Sequence, residues 1–304
     1  MAQKWLAWIG LATVSLAAIA AGQPATGMSP DAIEGRTAWP GACKDWDDWN
    51  KAGPPFRVYG NTYYVGTCGI AAILIVGDAG DILIDSGSAG AEELITANIR
   101  MLGFRPSDVK ILLHSHEHYD HIGGMARLKA LTGAKLYASA YAARALERGA
   151  PIPEDPQFEL HHAFPPVQVD KVLEGDPLVT LGDIRLNGAA TPGHTPGALS
   201  WSWRSCESEI CKTIVYADSL TAVSGDTYRF SDHPAYLRQF RQSLERVAAL
   251  DCDILLSPHP AAGKLRDKLL AGELSAPPLC RAYVTGLRKR LDARVAEEAA
   301  RARP

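Results

Sequence analysis

Four of the nine histidines fall within eight residues, in the run His114-Ser115-His116-Glu117-His118-Tyr119-Asp120-His121, and Ile122-Gly123-Gly124 follows at once. These side chains hold divalent cations or move protons. His116 and His118 are two apart, so in extended backbone both rings point to one side and can chelate one ion. Asp120 and His121 are adjacent, and a turn there aims both at a second point nearby. Gly123 and Gly124 permit the tight turn into a helix. His114 falls outside this spacing, on an apolar run, and reads as structural. Packed in a core, such a cluster costs several kcal/mol unless it is paired or holds metal. On a solvated loop it costs nothing, but HxHxDH followed by paired glycines is a specific string that favours metal.

Two later histidines lie in similar settings. His194 is in Thr191-Pro192-Gly193-His194-Thr195-Pro196-Gly197, and His259 is in Leu256-Ser257-Pro258-His259-Pro260. Each reads either as a turn residue bonded to backbone or as a ligand at a strand end. Taken as ligands, they complete two sets: His116, His118 and His194; and Asp120, His121 and His259. All six donors are nitrogen or oxygen, which suits zinc with an open position for water. His161, His162 and His233 read as structural or solvated.

The elements around these residues must carry them to one place. Runs at 57–64, 70–76 and 81–85 are β-branched or apolar and are split by turns at Gly60-Asn61 and 77–80, the pattern of a strand meander. Residues 89–102 predict a helix with Ile95, Ile99 and Leu102 on one stripe. A strand at 109–114 runs into the histidine cluster and a helix at 123–132 leaves it, which puts the cluster at a strand's C-terminal end, where α/β sites concentrate. A strand at 135–139 and a helix at 140–148 follow. The second half repeats the order, with strands at 172–181, 184–189, 199–203 and 213–216, a helix at 234–250 capped by Asp232, a strand at 253–256 and a helix at 281–301. The expected architecture is α/β, a four-layer αββα sandwich of two packed mixed sheets with external helices.

Composition narrows the class. With 304 residues and 47% hydrophobic side chains, the chain can bury a sizeable core. A net charge of −3 excludes a generally basic nucleic-acid binder, and 8% aromatics suggest no stacking platform for single strands. Residues 1–22 place Lys4 before an apolar stretch that ends in small residues, the layout of a secretory signal peptide; a membrane anchor is the other reading. Residues 23–55 then read as an N-terminal arm that opens a single domain over 23–304. The six cysteines Cys43, Cys68, Cys206, Cys211, Cys252 and Cys280 suit an exported chain with three bridges, and allow 15 pairings. Spacing favours Cys206–Cys211, with Cys252–Cys280 and Cys43–Cys68 the remainder; a catalytic thiol is the competing reading.

With HxHxDH at 116–121, Gly193-His194 and the terminal His259 in that order, the sequence resembles the metallo-β-lactamase superfamily, and within it the subclass B3 metallo-β-lactamases. The resemblance covers roughly residues 50–285. It implies an exported, periplasmic hydrolase holding two Zn2+, a carbapenemase type that opens penicillins, cephalosporins and carbapenems with a zinc-activated water and confers antibiotic resistance. Asp120 would orient that water. Where another subclass carries a zinc-binding Cys, this chain reads Tyr216-Ala217-Asp218-Ser219-Leu220-Thr221, so Ser219 and Thr221 would bind the substrate carboxylate. Gln157 resembles a substrate-contacting Gln of some members. Asp85, at a strand end, resembles a buried Asp that braces the ligands, or is a simple turn residue. Asp218 could instead bridge both metals, as in the thioesterases and lactonases of the superfamily. A non-enzymatic periplasmic zinc-binding protein is the reading from another class. The expected partner is a small β-lactam, with no nucleic acid, no membrane after leader removal, and a monomeric chain.

Overall fold

Short strands that are apolar on both faces must be covered on both faces, and that requirement organises the chain. The computed structural model describes residues 1, 30–275 and 279–301; apart from Met1, the expected leader lies outside the described residues. A helix α1 (Pro30–Ala42) leads into a meander of β1 (Phe56–Tyr59), β2 (Thr62–Tyr64), β3 (Ile73–Ile75) and β4 (Asp81–Ile84). Helix α2 (Ala91–Met101) crosses to β5 (Val109–Leu113), α3 (Tyr119–Ile122) and α4 (Met125–Thr132) to β6 (Lys135–Ser139), and α5 (Ala140–Arg148) to β7 (Lys171–Leu173). Strands β4 to β7 pair in parallel, and the first sheet runs β1 to β7 in chain order.

The second sheet is built from β8 (Leu178–Leu181), β9 (Ile184–Ala190), β10 (Leu199–Glu207) and β11 (Ile210–Tyr216), all antiparallel. Helix α6 (Pro234–Ala248) then returns the chain to β12 (Ile254–Leu256), parallel to β11 at the sheet edge. Helices α7 (Leu265–Ala271) and α8 (Leu279–Arg301) follow.

Residue alternation sorts the apolar side chains into three cores. Ile82 and Ile84 of β4 and Ile111 and Leu113 of β5 face the second sheet and meet Trp201, Trp203, Ile214 and Tyr216. Leu83 and Leu112, one residue out of phase, face α2, α4 and α5 through Ile95, Ile99, Leu128 and Leu146. Val215 and Leu255 likewise face Phe240, Leu244, Leu287 and Leu291 of α6 and α8. The layers are therefore helix, sheet, sheet, helix, the expected sandwich. Polar ties lock the sheets face to face: Leu199 N donates to Ser115 O at 2.7 Å, and Trp201 Nε1 donates to His114 O at 2.8 Å.

Three local readings are corrected. The arm at 23–55 contains α1, whose Pro40 and low-propensity glycines hid it; Trp39 is buried edge-on against Phe56 and Tyr64. The run at 172–181 is two strands of different sheets, because Gly175 adopts φ +54° and Pro177 follows it. Asp232 does not cap α6: it ends a short 3-10 turn, and His233 takes the cap position without a side-chain bond.

The bridges are Cys43–Cys68, Cys206–Cys211 and Cys252–Cys280, and no free thiol remains among the described residues. No helix among the described residues is long and apolar enough to cross a membrane.

Asp81, buried at the start of β4, has its carboxyl pushed up to about 6 by burial. From its ordinary 3.8 to about 6, the folded state holds this proton more tightly than the unfolded chain. Stability therefore falls as pH rises through that window. Asp81→Asn is expected to raise the melting midpoint by about 2–4 °C at pH 7.5 and to change it little below about pH 4, as thermal melts at both pH values will show.

Candidate metal centre and substrate cavity

Five strand ends supply the site, and all open on the same edge of the two sheets. Asp85 follows β4, the histidine cluster follows β5, His194 lies between β9 and β10, Asp218 to Thr221 follow β11, and His259 follows β12. The chain leaves β5 in extended form through His118 and then turns into α3, so His116 and His118 share a side while Asp120 and His121 occupy the first helical turn. Gly123 is required by close approach: a Cβ there would lie 2.5 Å from Tyr119 O and 2.9 Å from Ala89 N. At Gly193 a Cβ would meet the Phe240 ring at 2.3 Å, so only glycine lets the His194 turn sit against α6.

Two convergent groups result. The rings of His116, His118 and His194 form a near-equilateral triangle with centroids 4.9, 4.8 and 4.7 Å apart. Their ligand atoms lie within 4.8 Å of one another. Asp120 Oδ2 lies 3.1 Å from His121 Nε2 and 3.3 Å from His259 Nε2, and those two nitrogens are 3.4 Å apart. The His116 and His121 rings, 4.1 Å apart, join the groups. These His/Asp groups have the donor chemistry to hold metal ions.

Behind four of the imidazoles an oxygen stands within 3.4 Å of one ring nitrogen. His194 Nδ1 lies 3.0 Å from Thr221 O, and because a carbonyl only accepts, Nδ1 carries the proton and Nε2 keeps its lone pair, with Gln157 Nε2 3.4 Å away. Asp218 Oδ1 lies 2.8 Å from His116 Nδ1, and His116 Nε2 is buried without a hydrogen-bond partner. His118 Nε2 is 3.0 Å from Asp155 Oδ2, and His121 Nδ1 is 3.4 Å from Asp85 Oδ2. Asp85 is the brace: it accepts from Ser115 N at 2.6 Å, Ser115 Oγ at 2.7 Å and Tyr216 Oη at 2.7 Å.

The electrostatics follow from burial. Desolvation, helped by neighbouring imidazoles, holds His116 and His118 far below the ordinary histidine range, His194 near 3 and His259 near 4. All four are neutral at physiological pH, the form that donates to a metal. Burial opposes ionisation of Asp120, but the imidazoles of His121, His259 and His116 outweigh it and hold its carboxyl well below the usual range.

A cavity of about 360 Å³ opens over these donors. Gln157, Ser219 and Thr221 line it with His118, Asp120 and His194. Thr221 Oγ1 lies 2.9 Å from His194 Nδ1, Gln157 Nε2 is 3.3 Å from the same atom, and Ser219 Oγ is buried without a partner. Asp218 does not line the cavity, belongs to none of the convergent groups and is fully buried behind His116. His114 is structural, its Nε2 accepting from Ser139 N at 3.0 Å.

Other features were not legible beforehand. His161, read as structural or solvated, faces the cavity and stacks on His118 at 3.8 Å. Asp155 and Tyr216 carry no sequence signal for their roles. Nor do Trp46 and Trp49, which form part of the cavity wall.

The model of the metallo-β-lactamase superfamily matches residues 65–259, more than half of the chain, and the chain belongs to that superfamily. Solved structures similar to it include the MIM-2 metallo-β-lactamase, at 52% identity and TM-score 0.83 over 90% of this chain and 100% of that one. MIM-1 from Novosphingobium pentaromativorans matches at 48% identity and TM-score 0.83, over 86% and 98% of the two chains. MEM-A1, a subclass B3 metallo-β-lactamase isolated from a soil metagenome library, matches at 40% identity and TM-score 0.79, over 84% and 100%. The resemblance to subclass B3 thus extends from the motifs to the whole described fold. Among curated proteins, a probable metallo-hydrolase of Burkholderia pseudomallei is 29% identical over 152 residues, 44% of this chain and 48% of that protein. A hydroxyacylglutathione hydrolase of Maricaulis maris is 29% identical over 137 residues, 45% and 42% of the two. The matches span less than half the length of these curated relatives.

If Asp218 orients His116 for metal binding, Asp218→Ala is expected to weaken zinc affinity about 10- to 100-fold, read by competition with a chromogenic chelator.

Proposed function

We propose that the chain is an exported, periplasmic dizinc hydrolase that opens the β-lactam ring of penicillins, cephalosporins and carbapenems. The observation that carries this is the convergence of six donors from three distant stretches under one cavity, five of them buried and His259 half-buried. The donors suit the metal. His116 Nε2 is buried and unpartnered, four of the imidazoles are held neutral, and burial pushes the carboxyls of Asp218 and Asp155 up to about 6 and about 7, a desolvation cost that a nearby cation offsets. His116, His118 and His194 would hold one zinc, and Asp120, His121 and His259 the other. Bound there, zinc supplies a Lewis acid and lowers the pKa of a coordinated water towards about 7.

The chain's own residues do the rest. Asp120, between the two donor sets, accepts a hydrogen bond from the attacking water and orients it. Ser219 Oγ, with no protein partner, donates to the substrate carboxylate. Thr221 Oγ1, if it accepts from His194, keeps its own proton to donate outward, and Gln157 reaches the same wall. These contacts place the lactam carbonyl over the donors, a positioning role. Asp85 and Asp155 hold the ligand rings.

A thioesterase of the same superfamily is the second reading, favoured by the match to the Maricaulis hydroxyacylglutathione hydrolase. The placement of Asp218 behind His116, outside every convergent donor group, supports the lactamase reading over one in which that Asp bridges two metals.

Dialysis against a chelator is expected to abolish hydrolysis of a chromogenic cephalosporin, and added zinc to restore it. Preferential turnover of a thioester over lactams would overturn the assignment. Asp120→Ala is expected to lower kcat at least about 100-fold while the melting midpoint moves by a few degrees at most. Ser219→Ala is expected to raise KM about 5- to 10-fold with kcat little changed, since it removes binding common to substrate and transition state.

A further inference from the structure

The segment between Cys43 and Lys51 presents aromatic surface where water would be expected. Trp46 is 69% exposed and Trp49 43% exposed, and both line the cavity that contains Asp120 and Ser219. The Trp46 ring lies 6.0 Å from that of His259. Trp46 also has φ +54°, a left-handed conformation that bulky residues rarely adopt, so its surroundings must hold it there.

Those surroundings are a staple. Cys43 is bridged to Cys68, and Cys68 N donates to Lys51 O at 2.9 Å. Thr67 Oγ1 donates to Trp49 O at 2.5 Å, and Lys44 N donates to Asp47 Oδ2 at 2.9 Å. A Cβ at Gly69 would lie 2.6 Å from Asp47 O, so the turn is pressed directly onto the loop that follows β2. Leu160, 49% exposed, and Val223, 44% exposed, line the same cavity. The cavity lining therefore combines aromatic and aliphatic surface with the donors that would hold the metal ions.

We propose that the Cys43–Cys68 bridge is a positioning element of the site: it holds Trp46 and Trp49 as a wall that selects substrates carrying a flat aromatic substituent remote from the reacting bond. This rests on the hydrolase reading given above. A stacked ring contributes about 0.5–1.5 kcal/mol beyond its buried area, which corresponds to roughly 2- to 12-fold in affinity. None of the six donors assigned to the metal ions lies in the segment, so its loss should affect binding of the substituent rather than turnover.

The test compares two cephalosporins with the same nucleus, one acylated with phenylacetate and one with acetate, on the wild type, Trp46→Ala, Trp49→Ala and the Cys43→Ser/Cys68→Ser double variant. The expected result is a KM for the phenylacetyl substrate raised about 5- to 10-fold in Trp46→Ala and in the double variant, with kcat retained and the acetyl substrate changed less than about 2-fold. Equal changes for both substrates, or none, would overturn the proposal. Tryptophan fluorescence titrated with phenylacetate and with acetate reads the wall without catalysis, and selective quenching by phenylacetate should be lost in Trp46→Ala. If the wild type turns over neither cephalosporin, the hydrolase reading fails while the titration still decides the wall. If the double variant does not fold, Trp46→Ala decides the wall and a Cys43→Ala/Cys68→Val variant, sized for the buried site, takes the double variant's place for the bridge, with the same expected and overturning results.

Discussion

A buried imidazole must commit one nitrogen before the other can serve, and the whole site is built on that constraint. An uncommitted ring in a core leaves a donor or acceptor unsatisfied and can rotate between tautomers. Here Thr221, Asp218, Asp155 and Asp85 each stand behind a different ring. The opposite nitrogens then face two common points. Without those backing groups the same residues would be a costly knot of desolvated polar side chains. With them they are a preorganised set of lone pairs.

The sandwich makes the constraint satisfiable. Every backing residue lies just past the end of a strand or in a loop pinned to one, and strands buried on both faces cannot shift register without exposing a row of isoleucines or leucines. The sheets are also locked to each other at the histidine segment itself, through His114 O and Ser115 O. The donors therefore come from elements held on both sides by apolar cores, and the connections at 43–55 and 149–170 supply part of the cavity wall. Fixing the geometry in the scaffold suits a reaction in which water, metal and carbonyl must meet within a few tenths of an ångström.

The legible parts were those written in local pattern. HxHxDH with its paired glycines located the cluster, and Pro-Gly-His and Pro-His in strand-end turns located the distant partners. Full apolar runs such as 70–76 located strands that needed cover on both faces. What stayed hidden depends on tertiary contact. Asp155 is an ordinary loop acid until the fold brings it to His118, and His161 is a polar loop residue until it stacks on the same ring. Helix α1 contradicts its own propensities, with Pro40 and two glycines inside it, and is held by the burial of Trp39 between β1 and β2 aromatics. The division between β7 and β8 was local, marked by Gly175 and Pro177, but hydropathy alone joined them.

Asp85 shows why site and scaffold are not separable here. It is a non-glycine residue at φ +67°, fully buried, with a carboxyl that burial would neutralise but that His121 and the Tyr216 hydroxyl hold ionised. Its oxygens reach Ser115 on the histidine loop, Tyr216 on the second sheet and the His121 ring at once. The strained backbone is what turns the carboxylate off the end of β4 and into that junction. One side chain thus fixes where the first sheet ends, how the second sheet sits against it and which nitrogen of His121 turns towards Asp120. Removing its charge would loosen the packing and the donor geometry together. A conservative amide in its place has one acceptor oxygen where Asp85 has two, so it would lose either the bond from Ser115 N or the contacts with Ser115 Oγ, Tyr216 and His121. The distinction between a residue that folds the protein and one that equips it for chemistry therefore disappears at this position.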